Sequence, residues 1–99
     1  MFNNQKFLTR GVDERIPLKL QSFMWSAIMV MDVKKKDYLQ IFTLTSYEKN
    51  GMKMQHIKHE QEQPAYSEEY DFPCDYAVDE KVYVIDDITH STMLLVEKY

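Results

Sequence analysis

The stretch "SYEKNGMKMQHIKHE", residues 46–60, decides the fold, because it contains the strongest turn signal in the chain. A type I′ turn needs positive φ angles at both central residues, and Asn50-Gly51 is the pair that adopts them most readily. The residues before it, "YLQIFTLTSYE" (38–48), are rich in β-branched and aromatic side chains, as strands usually are. Residues 52–60 are then the return strand, and the sequence predicts a β-hairpin.

Upstream of the hairpin, apolar residues recur at helical spacing from Pro17 to about Asp32, and proline suits the first position of a helix. One broad face should cover a sheet; it consists of Leu20, Phe23, Met24, Ala27, Ile28 and Met31. A second stripe on roughly the opposite side contains Leu18, Trp25 and Met29. This stripe is either an oligomer interface or a surface that the first strand or the C-terminal tail covers.

Downstream, "KVYVID" (81–86) and "STMLLVEK" (91–98) are apolar on both faces, which is typical of central strands. "QKFLT" (5–9) could form a short first strand. We therefore expect a single domain, residues 1–99, of the α+β class in two layers. One N-terminal helix, about residues 17–32, would pack on an antiparallel sheet of four to five strands.

Composition indicates a cytoplasmic protein with no membrane association. The chain has one cysteine, Cys74, so no internal disulfide can form. It has no signal-peptide pattern, and its most apolar segment, residues 23–31, is too short to span a bilayer. Lysines 34–36 form the one basic run, but the chain has only two arginines and a pI near 5.3. Direct nucleic-acid binding is therefore not expected.

The net charge of −4 is concentrated in one segment. Residues 60–80 contain eight of the sixteen acidic residues and no Lys or Arg. In "PAYSEEYDFPCDYAVDE" (64–80) aromatic side chains alternate with carboxylates, a combination that suits docking on a basic protein groove. The predicted partner-binding residues are Tyr66, Glu68, Glu69, Tyr70, Asp71, Phe72 and Tyr76. The other interpretation is an edge strand whose aromatics cover the core and whose acids discourage aggregation.

Near the C-terminus, "IDDITHS" (85–91) contains the residue types of a catalytic triad in Asp87, His90 and Ser91. Such triads are brought together by the fold from separate elements, so adjacency in sequence is weak evidence. Aspartates in turns accept hydrogen bonds from backbone N–H groups two residues on. We therefore interpret the stretch as a turn between two strands, and expect neither a catalytic residue nor an enzyme.

A metal site is suggested by His56, His59 and Glu60. On a strand, however, residues three apart point to opposite sides of the sheet, so the two imidazoles could not meet. A single cysteine also cannot supply a structural zinc set. We expect no metal and no cofactor.

Five blocks of the sequence resemble an uncharacterised bacterial family known as domain of unknown function number 960. These blocks are "TRGV" (9–12), "IPLKLQ" (16–21), "YLQIF" (38–42), "VIDD" (84–87) and "STMLLVEKY" (91–99). The resemblance extends over essentially the whole chain, although residues 49–80 contribute nothing to it. It implies a bacterial cytoplasmic protein from a family associated with mobile elements and phages. It implies no activity, cofactor or catalytic residue.

These observations predict a non-enzymatic protein-binding accessory protein of bacterial or mobile-element origin. Its partner would be another protein, and the helix stripe would serve docking or a homodimer. One alternative is an acidic inhibitor of a nucleic-acid-processing enzyme, which requires the carboxylates of residues 60–80 to lie along one exposed ridge. Another alternative is an enzyme or small-ligand protein, which requires a pocket with converging polar groups.

Overall fold

A computed structural model of the protein describes residues 2–96. Within this range the chain forms two helices and six strands. They are β1 (Gln5–Leu8), α1 (Arg10–Arg15), α2 (Leu18–Val30), β2 (Leu39–Lys49), β3 (Met52–Gln61), β4 (Tyr66–Pro73), β5 (Glu80–Asp86) and β6 (His90–Leu95). All strands belong to one sheet in the order β1-β6-β5-β2-β3-β4. Neighbouring strands are antiparallel except β1 and β6, which are parallel.

The predicted fold was wrong in its sheet and in its single helix, although the chain is α+β. The sheet is mixed and has six strands within residues 2–96, and a second helix, α1, precedes the predicted one. Helix α1 begins because the Thr9 side chain accepts a hydrogen bond from the Val12 amide, and Val12 is fully buried. Helix α1 was not predicted, because Gly11 suggests a break in the chain pattern. One glycine, however, destabilises a helix by only about 1 kcal/mol.

The parallel pairing of β1 with β6 joins the two ends of the chain, with Gln5 opposite His90 and Leu8 opposite Met93. The Thr9 amide extends this ladder by donating to the Met93 carbonyl at 3.0 Å. Side-chain alternation along a strand is the same in parallel and antiparallel sheets, so the pattern of "QKFLT" contains no information on direction. Of the predicted last strand, Glu97 and Lys98 lie outside the described residues.

The predicted hairpin between β2 and β3 is confirmed. Asn50 and Gly51 have φ angles of 54° and 76°, and Lys49 pairs with Met52 directly across the turn. From this register, Phe42 lies opposite His59 and Leu44 opposite Ile57, and all four are buried. The hairpin therefore determines which face of β2 and β3 the core occupies.

The helices bury their apolar side chains against this face of the sheet. The buried apolar residues are Phe2, Val12, Ile16, Leu20, Met24, Ala27, Ile28, Met31, Phe42, Leu44, Ile57, Cys74, Val82, Val84 and Met93. The opposite face, here called the open face, contains alternate residues of each strand, such as Ile41 of β2 and Tyr83 of β5, which are only half-buried. Helix α2 starts at Leu18, after Pro17, and ends at Val30, close to the predicted bounds.

Residues 87–89 form the tight connection between β5 and β6, as a turn interpretation requires. The Asp87 carboxylate accepts hydrogen bonds from the amides of Thr89 and His90 at 3.1 and 2.9 Å, and the bond from His90 contributes most to lowering its pKa. Ser91 is fully buried and donates to Asn4 at 2.6 Å. His90 instead bonds Asp87 and Thr89, so serine and histidine do not form a nucleophile–base pair.

Ile88 at the tip of this turn has a φ of +84° and is 85% exposed. A β-branched residue in this region is strained by about 1–3 kcal/mol, whereas glycine adopts it freely at an entropic cost of about 0.5–1 kcal/mol. The conformation persists because the Ile88 amide donates to Asp86 at 2.8 Å and its carbonyl accepts from Asn4 at 3.1 Å.

We therefore expect Ile88→Gly to raise the free energy of unfolding by about 1 kcal/mol, measured by urea denaturation. Ile88→Ala is the matched control, because it removes the exposed side chain and keeps the strained φ. It should give less than half of that gain. A loss of stability in Ile88→Gly would contradict the assignment of strain to this residue.

Candidate functional site at the edge strand

Strand β4 ends the sheet on one side, so one of its two hydrogen-bonding edges has no strand beside it within residues 2–96. The Cys74 amide donates to the Lys53 carbonyl at 2.9 Å, which places this pair among the hydrogen-bonded pairs of the β3–β4 ladder. Hydrogen-bonded and non-bonded pairs alternate in antiparallel sheets. The amides and carbonyls of Ser67, Glu69 and Asp71 therefore point away from the sheet.

The side chains of β4 alternate between the helix side and the open face of the sheet. Tyr66, Tyr70 and Phe72 point to the helix side and are half-buried against the core. Tyr70 and Phe72 lie 5.0 and 5.2 Å from the ring of Phe23 in α2, measured between centroids. These aromatics cover the core, which is the second interpretation that the sequence left open. Tyr76, beyond the strand, is 41% exposed.

Helix α2 packs beside Tyr70 and Phe72 of β4, and a groove lies between the helix and the edge strand. A cleft of about 120 Å³ lies between them and is lined by Phe23, Ser26, Ala27, Val30 and Tyr70. Its walls are almost entirely apolar, and Val30 is 74% exposed. An edge strand beside a helix in this arrangement offers unpaired backbone groups and a side-chain pocket to the same extended ligand.

On the open face, β4 contributes two carboxylates to a cluster that the sequence analysis missed. His56 lies directly opposite Asp71 in the register, and its Nδ1 is 2.9 Å from Asp71 Oδ1 while its Nε2 is 3.1 Å from Glu69 Oε1. Tyr47 donates to the same Asp71 oxygen at 2.9 Å. The hydrogen bond with His56, and then the one from Tyr47, lowers the pKa of Asp71, while the bond to Asp71 raises the pKa of Tyr47.

The cluster restrains Asp71, whose Oδ1 is contacted by both Tyr47 and His56 Nδ1. Oε1 of Glu69 lies beside His56 Nε2, and these contacts leave out Oδ2 of Asp71 and Oε2 of Glu69. The feature of the sequence that could have indicated this cluster is that His56 lies on the strand before Glu69 and Asp71. The metal hypothesis grouped His56 with His59, which points to the opposite face and is fully buried.

The acidic residues of segment 60–80 do not lie along one ridge. Glu69 and Asp71 are on the open face, whereas Glu68 is exposed on the helix side of β4. Asp79, past the far end of the strand, accepts hydrogen bonds from the Ser46 amide and hydroxyl at 2.7 and 2.8 Å. The single ridge that an acidic inhibitor of a nucleic-acid enzyme requires is therefore not formed.

The three residues of the predicted helix stripe differ in their exposure to solvent. Leu18 and Met29 are 74% and 47% exposed. Trp25 is half-buried, and Nζ of Lys6 in β1 lies 5.7 Å from the centre of its ring. The first strand therefore covers Trp25 but leaves Leu18 and Met29 accessible. The lysines at 34–36 lie in the loop between α2 and β2, far along the chain from the acidic edge.

Beneath the edge, His59 is part of a buried polar network. Its ring stacks on Phe42 at 4.3 Å and its Nε2 lies 2.6 Å from Oε1 of Gln40. Gln40 uses its Nε2 to donate to Gln61 and to the Asp37 carbonyl, so its oxygen accepts the proton of His59 Nε2. His59 Nδ1 makes no hydrogen bond to any described residue. Burial lowers the pKa of His59 to about 4.

Gln61 extends the network to the β3–β4 turn and to the loop between α2 and β2. Its Nε2 donates to the carbonyls of Lys35 and Pro64 at 3.1 and 2.8 Å, and its Oε1 accepts from the Asp37 amide at 2.8 Å. These bonds fasten the β3–β4 turn to the loop that follows α2. The start of the edge strand is therefore joined to the buried network in which His59 Nε2 donates to Gln40.

Taken together, these features define a two-layer α+β protein with a mixed sheet and an accessible acidic edge strand. The chain belongs to the family described as "Staphylococcal protein of unknown function (DUF960)", whose model matches residues 5–98. This result confirms the resemblance drawn from the sequence.

A solved structure, described as "Crystal structure of the protein of unknown function from Enterococcus faecalis", has a similar fold with a TM-score of 0.72. It is 21% identical, and the match covers 94% of this chain and 88% of that chain. The search among curated proteins found no match. Neither helix within residues 2–96 is long and apolar enough to cross a membrane.

The buried His59 makes stability depend on pH. Its pKa is about 4 in the folded protein and 6.5 in the unfolded chain, so the unfolded chain takes up the proton first as pH falls. Stability should be full above pH 6.5 and should decrease by about 3 kcal/mol by pH 4. His59→Gln keeps a donor to Gln40 without titrating, so its stability should vary less over this range. Urea denaturation at several pH values measures both slopes, and equal slopes would contradict the role of His59.

Proposed function

We propose that this chain is a non-enzymatic protein-binding accessory protein, of bacterial or mobile-element origin, which receives an extended segment of a partner protein along β4. The observation that carries the proposal is the outward-pointing backbone of Ser67, Glu69 and Asp71 beside the α2 groove. A bound segment would add a strand to the sheet. Main-chain hydrogen bonds would supply affinity, and the side chains on either side would supply specificity.

The acidic character of β4 supports a basic partner. Glu68, Glu69 and Asp71 are all exposed, and no Lys or Arg lies in residues 60–80. Carboxylates around a docking edge attract positively charged segments and accelerate their association in a salt-dependent manner. The same acids also discourage edge-to-edge aggregation, so charge alone does not separate recognition from protection. The experiment must therefore act on the backbone.

The placement of the histidines supports the non-enzymatic part of this proposal. His56 lies on the open face, His59 in the core and His90 at the start of β6. Each of them is hydrogen-bonded to its own neighbours. The three imidazoles do not converge on one pocket, and this favours a non-enzymatic role over the enzyme alternative.

Glu69→Pro tests the proposal, because proline removes an amide that β3 does not use. We expect a library of random ten-residue peptides displayed on phage to yield binders to the original protein, and Glu69→Pro to weaken them by about tenfold or more. Glu69→Ala is the matched control, since it loses the charge and keeps the amide; it should lose less affinity. Thermal unfolding verifies that each variant is folded. The proposal fails if no binder is enriched or if Glu69→Pro binds as tightly as Glu69→Ala.

The exposed part of the helix stripe, Leu18 and Met29, supports self-association as an additional property of the protein. We expect the double variant Leu18→Lys, Met29→Lys to change a dimer into a monomer, as measured by light scattering after size-exclusion chromatography. Stability should change by less than about 0.5 kcal/mol, because neither side chain is buried in the core. Thr45→Lys adds a charge at an exposed position on the open face of the sheet, away from α2, and is the control. A monomeric original protein, or an unchanged mass in the variant, would exclude this interface.

A further inference from the structure

Resting on the proposed function, we infer that the β4 edge selects extended segments in which Lys or Arg alternates with a small aliphatic residue. The geometry of the edge differs between its two sides. The open-face side carries two carboxylates, and the helix side carries an apolar cleft. Successive side chains of an added strand point to opposite sides, so the two environments are sampled by alternate residues.

On the open-face side, Glu69 and Asp71 are two residues apart on one strand, a separation of roughly 7 Å. Basic residues at positions i and i+2 of an added strand have the same spacing. His56 Nδ1 and Tyr47 contact the same oxygen of Asp71, and His56 Nε2 lies 3.1 Å from one oxygen of Glu69. The other oxygen of each carboxylate can accept from an incoming ammonium or guanidinium group. Because Asp71 is already hydrogen-bonded, its carboxylate loses little side-chain entropy on binding.

On the helix side, the added strand would lie next to Tyr70 and beneath α2. The cleft there measures about 120 Å³ and is lined by Phe23, Ser26, Ala27, Val30 and Tyr70. Its size suits valine, isoleucine or leucine, and its apolar walls disfavour a charged side chain. Binding would also cover Val30, which is 74% exposed.

A second copy of this chain fits the same edge poorly. Two β4 strands paired antiparallel about a two-fold axis at Glu69 would place Glu69 opposite its own copy. Asp71 would then lie opposite Ser67 of the copy, with four acids on the open face of this short ladder. Like charges directly opposite each other destabilise a sheet. The edge therefore favours a basic segment from a different protein.

Two synthetic peptides of equal composition test the alternation. In one, Lys and Val alternate over six central positions; in the other, three Lys precede three Val. We expect the alternating peptide to bind the original protein about tenfold more tightly, as measured by fluorescence anisotropy at low and high salt. Glu69→Gln combined with Asp71→Asn should remove most of this preference and its salt dependence. Ser26→Trp, which fills the cleft, should weaken the alternating peptide, whereas Ser22→Trp on the same helix should not.

The outcomes separate this inference from the proposed function. If both peptides bind equally and Glu69→Pro weakens both, the edge site stands and the alternation rule is overturned. If Glu69→Pro affects neither peptide, the edge site itself is rejected. If Ser26→Trp and Ser22→Trp have the same effect, the cleft does not receive the aliphatic side chain and the inference fails on the helix side.

Discussion

The type I′ turn at Asn50–Gly51 sets the register on which the rest of the sheet depends. It places Lys49 opposite Met52, and each further pair along β2 and β3 follows from that one. Side chains alternate across a sheet, so a slip of one residue would exchange the buried and open faces of both strands. The effect reaches beyond the hairpin, because β3 then pairs with β4. The turn therefore determines the face on which His56 lies, and the separate pairing of β3 with β4 places His56 opposite Asp71.

The parts of the fold that the sequence predicted correctly are those with local physical signals. Asn50-Gly51 specifies its turn through backbone conformation, and α2 is marked by Pro17 and by helical spacing. Apart from the short helix α1, the errors concern contacts between residues distant in sequence. The parallel pairing of Gln5 with His90 has no local signature. The cluster around Asp71 was missed for the same reason, since Tyr47, His56 and Asp71 belong to three different strands.

The buried polar network under β4 has a cost that an apolar core would avoid. His59 Nδ1 has no hydrogen-bond partner among residues 2–96. A buried nitrogen of this kind loses its hydration without compensation. The network nevertheless provides something that apolar packing does not, because Gln61 reaches the backbone of two loops that lack partners in the sheet. Directional bonds fasten these loops in one arrangement. An edge strand has a neighbour on one side only, so this fastening matters most at its first residues.

Protection and recognition at an acidic edge make different demands on the rest of the surface. Protection against aggregation requires only charge, a proline or a bulge, and Pro73 at the end of β4 with Glu68 in its middle already provides such features. It does not require carboxylates to be held by hydrogen bonds, nor an apolar cleft beside the edge. Yet Tyr47 and His56 bond Asp71 on one side, and α2 leaves an apolar cleft next to Tyr70 on the other. The proposed bound segment would make use of both features, whereas protection requires neither of them.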